Sequence, residues 1–187
     1  MRKLSVFNGV SLDGYFSGEN GDLQWAHAAK PDKEFGSFVE NNARGGGELL
    51  MGRKTYDLMV KYWPTADARQ SDPVVAERMN NLPKVVFSRT LDRADWNNTR
   101  VVKGDLAAEV RKMKEAPGDD MVILGSGSIV SALTKAGLID VYQFVVVPVI
   151  LGKGRTMFEG VSENVHLRQT RSKTFNNGNV FLSYERP

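Results

Sequence analysis

Short apolar runs alternate along most of the chain with segments whose apolar positions recur every three or four residues. Lys3 to Val10 reads as a first strand, and Asp13-Gly14, Gly18 and Asn20-Gly21 fill the loop after it with turns. Pro31 to Arg44 predicts a helix with Phe35, Phe38 and Val39 on one face and Gly45-Gly46-Gly47 as its stop. Glu48 to Met51 is a short buried strand that runs into a helix from Arg53 to Lys61, carrying Tyr56, Met59 and Val60. Beyond the Trp63-Pro64 break, Pro73 to Leu82 predicts a helix, Lys84 to Ser88 a strand and Thr99 to Val102 another. Asp105 is placed to cap a helix whose Leu106, Val110 and Met113 share a face. Met121 to Leu124 is a strand, followed at once by Gly125-Ser126-Gly127-Ser128 and a helix through Ala136. Ile139 to Val147 is the longest strand and apolar enough for burial on both faces. Leu167 to Phe175 and Asn179 to Arg186 pair as a hairpin across Asn176-Asn177-Gly178. Strands alternating with helices and closing in a hairpin predict one α/β domain over residues 1–187, its sheet mostly parallel with an antiparallel edge.

Composition narrows the chemistry. Apolar residues at 41% and charged ones at 25% fit a folded globular chain of 187 residues. With no cysteine there are no disulfides, no thiol nucleophile, no cysteine zinc site and no iron–sulfur ligation. His27 and His166 are too few for a histidine-rich metal site, so no metal is expected, and His27 reads as a surface loop residue. Lys and Arg number 25 against 22 Asp and Glu, a net +3 that does not point to nucleic acid. A basic face would have to be built from Arg2, Lys3, Arg69, Arg78, Lys84 and Arg171; interspersed acids make a solvated surface the plainer reading. The greasiest stretch, Phe144 to Leu151, holds Pro148 and falls far short of the ~20 residues that span a bilayer. Met1-Arg2-Lys3 opens no signal-peptide pattern, so a soluble cytoplasmic protein without a membrane partner is expected.

Two strand-to-helix junctions carry the candidate chemistry. In Leu50-Met51-Gly52-Arg53-Lys54-Thr55-Tyr56, Gly52 lets the chain turn tightly, and two cations and a hydroxyl fall in the first helical turn. Cations normally avoid that end, where free N–H groups and the helix dipole attract anions, so a phosphate would complete the arrangement. The competing reading is a solvated helix start whose long side chains lie along apolar surface. A Walker-type loop is excluded, because Arg53 separates the glycine from Lys54 and residues 48–51 are strand-like. The second junction, Leu124-Gly125-Ser126-Gly127-Ser128-Ile129, lets a backbone approach closely and aims helix N–H groups at an anion such as a pyrophosphate. It lacks the third glycine of the dinucleotide fingerprint, since Val130 stands there, and Gly-Ser turns open many helices for structural reasons alone. A third element, Lys84-Val85-Val86-Phe87, ends in Ser88-Arg89, a hydroxyl and a guanidinium suited to a ribose phosphate or simply a capped strand end. All three lie at strand C-termini, where open α/β sheets bind their ligands.

Taken in order, these segments resemble the dihydrofolate reductase-like superfamily, in the branch related to the reductase domain of bacterial bifunctional riboflavin-biosynthesis deaminase–reductases. The resemblance rests on Ser11-Leu12-Asp13-Gly14-Tyr15, Asp22-Leu23-Gln24-Trp25, Leu50 to Tyr56, Trp63-Pro64, Lys84 to Arg89, Gly125 to Ser128, and Pro148-Val149-Ile150-Leu151-Gly152-Lys153-Gly154 leading to Phe158. It implies a three-layer α/β/α fold and NADPH as hydride donor. By position Arg53, Lys54, Ser88 and Arg89 would hold the adenosine 2′-phosphate, while Thr55 and Gly125-Ser126-Gly127-Ser128-Ile129 would hold the pyrophosphate, and Gly52 is a further cofactor-binding position. The loop from Asp13 to Trp25 would close over the nicotinamide. Asp13 or Tyr15 would lie near it as proton source or water anchor, Asp13-Gly14 being equally a common turn pair. Trp25 is a core lid residue or a stacking platform for substrate, and Gly154 would border the same space.

Folate reductases place a carboxylic acid on the first helix at a fixed distance beyond a tryptophan. Lys30 holds that position here, with Asp32 and Glu34 out of register, so dihydrofolate is not the expected substrate. The zinc deaminase that accompanies riboflavin-pathway reductases needs cysteines, which this chain lacks. The expected activity is hydride transfer from NADPH to a small heterocycle, pterin- or aminopyrimidine-like, or to a conjugated carbonyl. The alternative is a non-catalytic nucleotide-binding or regulatory module on the same fold. The resemblance also implies a homodimer, through the Ile139–Val147 strand and the hairpin edge.

Overall fold

A computed structural model describes residues 1–27, 30–45 and 47–187. In chain order the elements are β1 (Leu4–Ser11), β2 (Tyr15–Ser17), α1 (Lys33–Arg44), β3 (Glu48–Gly52), α2 (Arg53–Tyr62), α3 (Ala66–Ser71), α4 (Pro73–Asn81), β4 (Lys84–Phe87) and β5 (Thr99–Val102). There follow α5 (Leu106–Glu115), β6 (Met121–Leu124), α6 (Gly127–Lys135), β7 (Val141–Val147), β8 (Arg155–Thr156), β9 (Arg168–Thr174) and β10 (Val180–Glu185). Eight strands form one sheet in the order β5-β4-β3-β6-β1-β7-β10-β9. The run from β5 to β7 is parallel, and β10 and β9 close it antiparallel. This is the expected dihydrofolate reductase-like architecture, with helices on both faces.

Alternation along the strands assigns those faces. Leu4 and Val6 of β1, Leu50 of β3, Val85 of β4 and Ile123 of β6, all fully buried, pack with Val110 of α5 and Val130 and Leu133 of α6. Leu49, Met51 and Val86 point the other way, onto Tyr56 of α2 and Val75 and Met79 of α4. Phe38 of α1 covers the hairpin end of that same face, its ring 4.7 Å from Phe181 and 5.2 Å from Phe175. Each fully buried aliphatic side chain contributes roughly 1.5–3 kcal/mol. The helices are therefore held by their apolar stripes, more than by the propensity of their short sequences.

Several expectations shift. The first helix begins at Lys33 and not Pro31, because Asp32 caps it, accepting from the N–H groups of Glu34 (2.8 Å) and Phe35 (3.1 Å). Gly45 is its C-cap; Gly46, the middle of the expected glycine stop, lies outside the described residues. Helix α3 was not foreseen, since Ala66–Ser71 carries no apolar periodicity and is set off by a Thr65 cap. Nor was the small sheet of β2 and β8, which exists only through its pairing. Strand β7 lies between β1 and β10, so its edges are used within the chain; the free edge of the hairpin is β9, whose seven residues are all exposed. Lys84 is removed from the basic face: it is buried, and its ammonium donates to the carbonyls of Met79 (2.8 Å) and Leu82 (2.7 Å) at the end of α4 and lies 4.5 Å from the Trp96 ring. No helix among the described residues is long and apolar enough to cross a membrane.

Candidate functional site

The parallel strands end along one rim, and neighbouring β3 and β6 feed α2 and α6 from it. Most helices here finish their own N-termini: Asp32 caps α1, Thr65 caps α3 and Asp105 caps α5. Pro73 opens α4, which removes one donor that would need a partner. Helices α2 and α6 do neither. Gly52 offers no side-chain cap, Ser126 does not cap its own helix, and neither first turn holds an acid. Their leading N–H groups point out of the rim at the positive ends of two dipoles.

Ser126 binds the two starts together. It adopts a left-handed conformation (φ 58°), unusual for a residue with a side chain. Its Oγ accepts the Gly52 N–H at 2.7 Å and lies 2.7 Å from Thr55 Oγ1. Asn8, missed at the sequence level, holds the same turn from below: its Oδ1 accepts the Gly125 N–H at 2.6 Å and its Nδ2 donates to the Gly125 carbonyl at 3.3 Å. The available signal was a lone amide on the inward alternation Leu4, Val6, Asn8 of an apolar strand. Phe16 of β2 lies on Gly127: an added Cβ would sit 2.7 Å from the ring, which would have to shift. The loop after β1 thus reaches across the sheet to the start of α6.

Cations surround this pair of helix starts. Arg53 Nη1 donates to Thr90 Oγ1 at 2.6 Å, and its Nε is 3.5 Å from Asp57, both partners half-exposed. Arg53 therefore ties α2 to the segment after β4. Ser88, one residue beyond β4, accepts from the N–H groups of Thr90 (3.3 Å) and Leu91 (3.0 Å) and shapes that segment. Lys54 and Arg89 are exposed and make no ion pair among the described residues. Ile129 is buried against Gly52, and Ser128 is exposed at the first turn of α6. The geometry brings Gly52, Arg53, Thr55 and Gly125–Ile129 into one place, with Ser88 and Arg89 linked to it through Thr90.

The remaining candidates lie further along the rim. Asp13 accepts from Ser11 Oγ at 2.6 Å, from the Gly152 N–H at 2.8 Å and from the Leu151 N–H at 3.1 Å. These donors, the Ser11 hydroxyl first, hold its carboxyl below the ordinary range and keep it ionised. It thus ties the loop after β1 to the loop after β7, a positioning task. Tyr15 opens β2, and its backbone N–H donates to Ser11 Oγ at 2.9 Å. Gly154 permits a close approach, since a Cβ there would lie 2.2 Å from the Ser17 carbonyl. Trp25 is buried with Val147, Phe175 and Phe181, its Nε1 donating to the Asp22 carbonyl at 3.1 Å. Asp32, near the folate-type acid position, is fully engaged as a cap and also accepts the Asn177 N–H at 3.1 Å.

A family model described as the RibD C-terminal domain matches residues 2–181. The chain belongs to the RibD C-terminal domain family. Within reach of this family assignment, the uncharacterized protein YyaP of Bacillus subtilis (strain 168) is 30% identical over 183 residues, covering 98% of this chain and 94% of YyaP. Among solved structures, a putative riboflavin biosynthesis protein from Shewanella sp. PV-4 superposes with a TM-score of 0.78 at 22% identity, covering 99% of both chains. The Thermotoga maritima diaminohydroxyphosphoribosylaminopyrimidine deaminase/5-amino-6-(5-phosphoribosylamino)uracil reductase gives a TM-score of 0.70 at 16% identity, covering all of this chain and 57% of that one. The RibD C-terminal fold is thus the reductase-like one expected from the motifs.

Proposed function

We propose that this RibD C-terminal domain is an NADPH-dependent reductase that delivers hydride to a small heterocycle, pterin- or aminopyrimidine-like, or to a conjugated carbonyl. One observation carries the reading: α2 and α6 start side by side without caps or acids, joined through Ser126, with cations around them. The residues fit a phosphate-rich group. Leading N–H groups of both helices, the Thr55 hydroxyl and the exposed Ser128 hydroxyl suit a pyrophosphate. Arg53, Lys54 and Arg89 suit a further phosphate of about −2 charge, which distinguishes NADPH from NADH. When bound, the nicotinamide supplies the hydride. The chain's part is to hold it: Asp13 fixes the loops after β1 and β7, and Phe16 lays β2 over the start of α6. The reductase named in the Thermotoga protein supports an aminopyrimidine as substrate class.

A second reading, a nucleotide-binding module without turnover, is favoured by the carboxylates: Asp13 and Asp32 are both held ionised by N–H or hydroxyl donors. One kinetic comparison addresses both. In the double variant Arg53→Ala, Arg89→Ala, KM for NADPH should rise roughly 100-fold and that for NADH by less than about threefold. Equal changes for the two cofactors remove the 2′-phosphate assignment, and tight NADPH binding without oxidation on any pterin, aminopyrimidine or quinone selects the module.

A further inference from the structure

The parallel ladder between β1 and β6 runs from Leu4 opposite Met121 to Phe7 opposite Leu124 and stops there, because the chain turns out of the sheet at Gly125. The next position on β1 is Asn8, which is buried and continues its own strand beside Phe144 of β7. Its side chain takes up the rung that the backbone gives up. Oδ1 accepts the Gly125 N–H at 2.6 Å, while Nδ2 donates to the Gly125 carbonyl at 3.3 Å and to Met157 Sδ at 3.5 Å. One carboxamide thus holds both backbone polar groups of a single residue, and both of its own ends are paired.

The turn held in this way is a costly one. Gly125 (φ 61°) and Ser126 (φ 58°) are consecutive left-handed residues, and the second carries a side chain. Glycine at 126 would carry no such cost, so the strain has to be held by the surroundings. What it achieves is direction: Ser126 Oγ is sent sideways, 2.7 Å from the Gly52 nitrogen and 2.7 Å from Thr55 Oγ1. Thr55 closes on the turn from that side, since a Cβ on Gly125 would lie 2.9 Å from Thr55 Cγ2. The open starts of α6 and α2 are therefore held at one spacing, set from β1 through Gly125 and Ser126, before any ligand arrives.

We propose that Asn8 is a positioning residue for the cofactor pyrophosphate, acting through the turn at 125–126. Without its clamp the turn relaxes to conformations in which Ser126 no longer reaches α2, and binding has to restore it. Apparent affinity then falls with the fraction of molecules that keep the competent turn. The effect belongs to the pyrophosphate seat alone, because Arg53, assigned to the 2′-phosphate, is fastened by Thr90 and Asp57 instead. The inference rests on the cofactor reading above and adds the residue that sets the spacing of the seat.

Calorimetric titration of the whole chain tests it, with NADP⁺ as the ligand that carries a pyrophosphate and adenosine 2′-monophosphate as the one that does not. Asn8→Leu keeps the volume and removes both hydrogen bonds. Its dissociation constant for NADP⁺ should rise about tenfold, while that for the monophosphate stays within about twofold of wild type. Asn8→Asp supplies a second readout, since a protonated carboxyl offers the donor and acceptor of the amide and an ionised one offers only acceptors. Compared with wild type at the same pH, Asn8→Asp should bind NADP⁺ equally at about pH 5.5 and about tenfold more weakly at about pH 8.5. It keeps an acceptor for the Gly125 N–H in either state, so it decides the matter even where Asn8→Leu fails to fold. Unchanged NADP⁺ affinity in Asn8→Leu, equal losses for the two ligands, or an Asn8→Asp ratio independent of pH overturns the proposal. A wild type that binds neither ligand sinks the cofactor reading and the proposal with it; a wild type that binds both, beside any of those three results, sinks the positioning role alone.

Discussion

Helices α1 and α2 both start at the C-terminal rim of the sheet, and they treat their exposed donors in opposite ways. Asp32 closes α1 with a carboxylate that accepts two of its N–H groups and a third from the hairpin turn. Gly52 leaves α2 open, and the chain places Arg53 and Lys54 where the dipole repels them by roughly 0.3–1 kcal/mol each. A helix that satisfies itself has no use for an outside anion. One that spends cations beside free donors is stable enough alone only because its apolar face is buried, and it gains when an anion arrives. The same contrast separates α5, capped by Asp105, from α6, where Ser126 serves the neighbouring strand end and leaves its own helix uncapped.

Turning α2 into a copy of α1 makes the largest change. The extended backbone at Gly52 (φ −86°, ψ 168°) accepts a side chain, and an added Cβ would meet Ile129 Cδ1 at 3.4 Å. Gly52→Asp should therefore keep or raise Tm while weakening NADPH binding about 100-fold, equivalent to about 2.7 kcal/mol, as measured by calorimetry. Unchanged affinity would mean that the α2 start is no anion seat. The converse variant, Asp32→Ala, should lower Tm by about 3 °C and leave KM for NADPH as it was. Backbone donors, the Phe35 N–H first, hold the Asp32 carboxyl below 3.8. Its contribution is therefore complete above that pH and lost as pH falls through the lower folded value, so the gap between wild type and variant should close in acid.

The smallest effect concerns a helix end that is finished by a buried charge. Lys84 satisfies carbonyls at the C-terminus of α4, and burial pushes its ammonium down to about 8 from the ordinary 10.5. Between those values the unfolded chain binds more protons than the native one, so native stability rises with pH there. Denaturant midpoints at pH 7.5 and 9.5 should show wild type gaining on Lys84→Met by about 1 kcal/mol per pH unit at most. A difference independent of pH would mean that Lys84 stays charged throughout the range.

Legibility varied with the range of the interactions involved. The strand-to-helix junctions at Gly52 and Gly125 were readable because apolar runs, glycines and first-turn polar residues lie next to one another in the chain. Helix α3 was not, because Ala66–Ser71 has no apolar stripe to betray it. Strands β2 and β8 were not, because two residues of β8 become a strand only against Tyr15 and Ser17. Asp13 read as a candidate chemical group or a turn residue, and no neighbour in the chain signals that the loop after β7 donates to it across the rim. Lys84 read as a surface cation because nothing local reports that Trp96 and the end of α4 close over it.

Local order along the chain was enough to specify an α/β layer fold and its polar strand ends, since periodicity and glycine act within a few residues. Which of those ends meet, that Ser126 bridges two helices, and that Trp25 packs with Phe175 and Phe181 of the hairpin were settled only by folding. Those relations join positions far apart in the chain, and their energies appear only once the sheet order has brought the partners together.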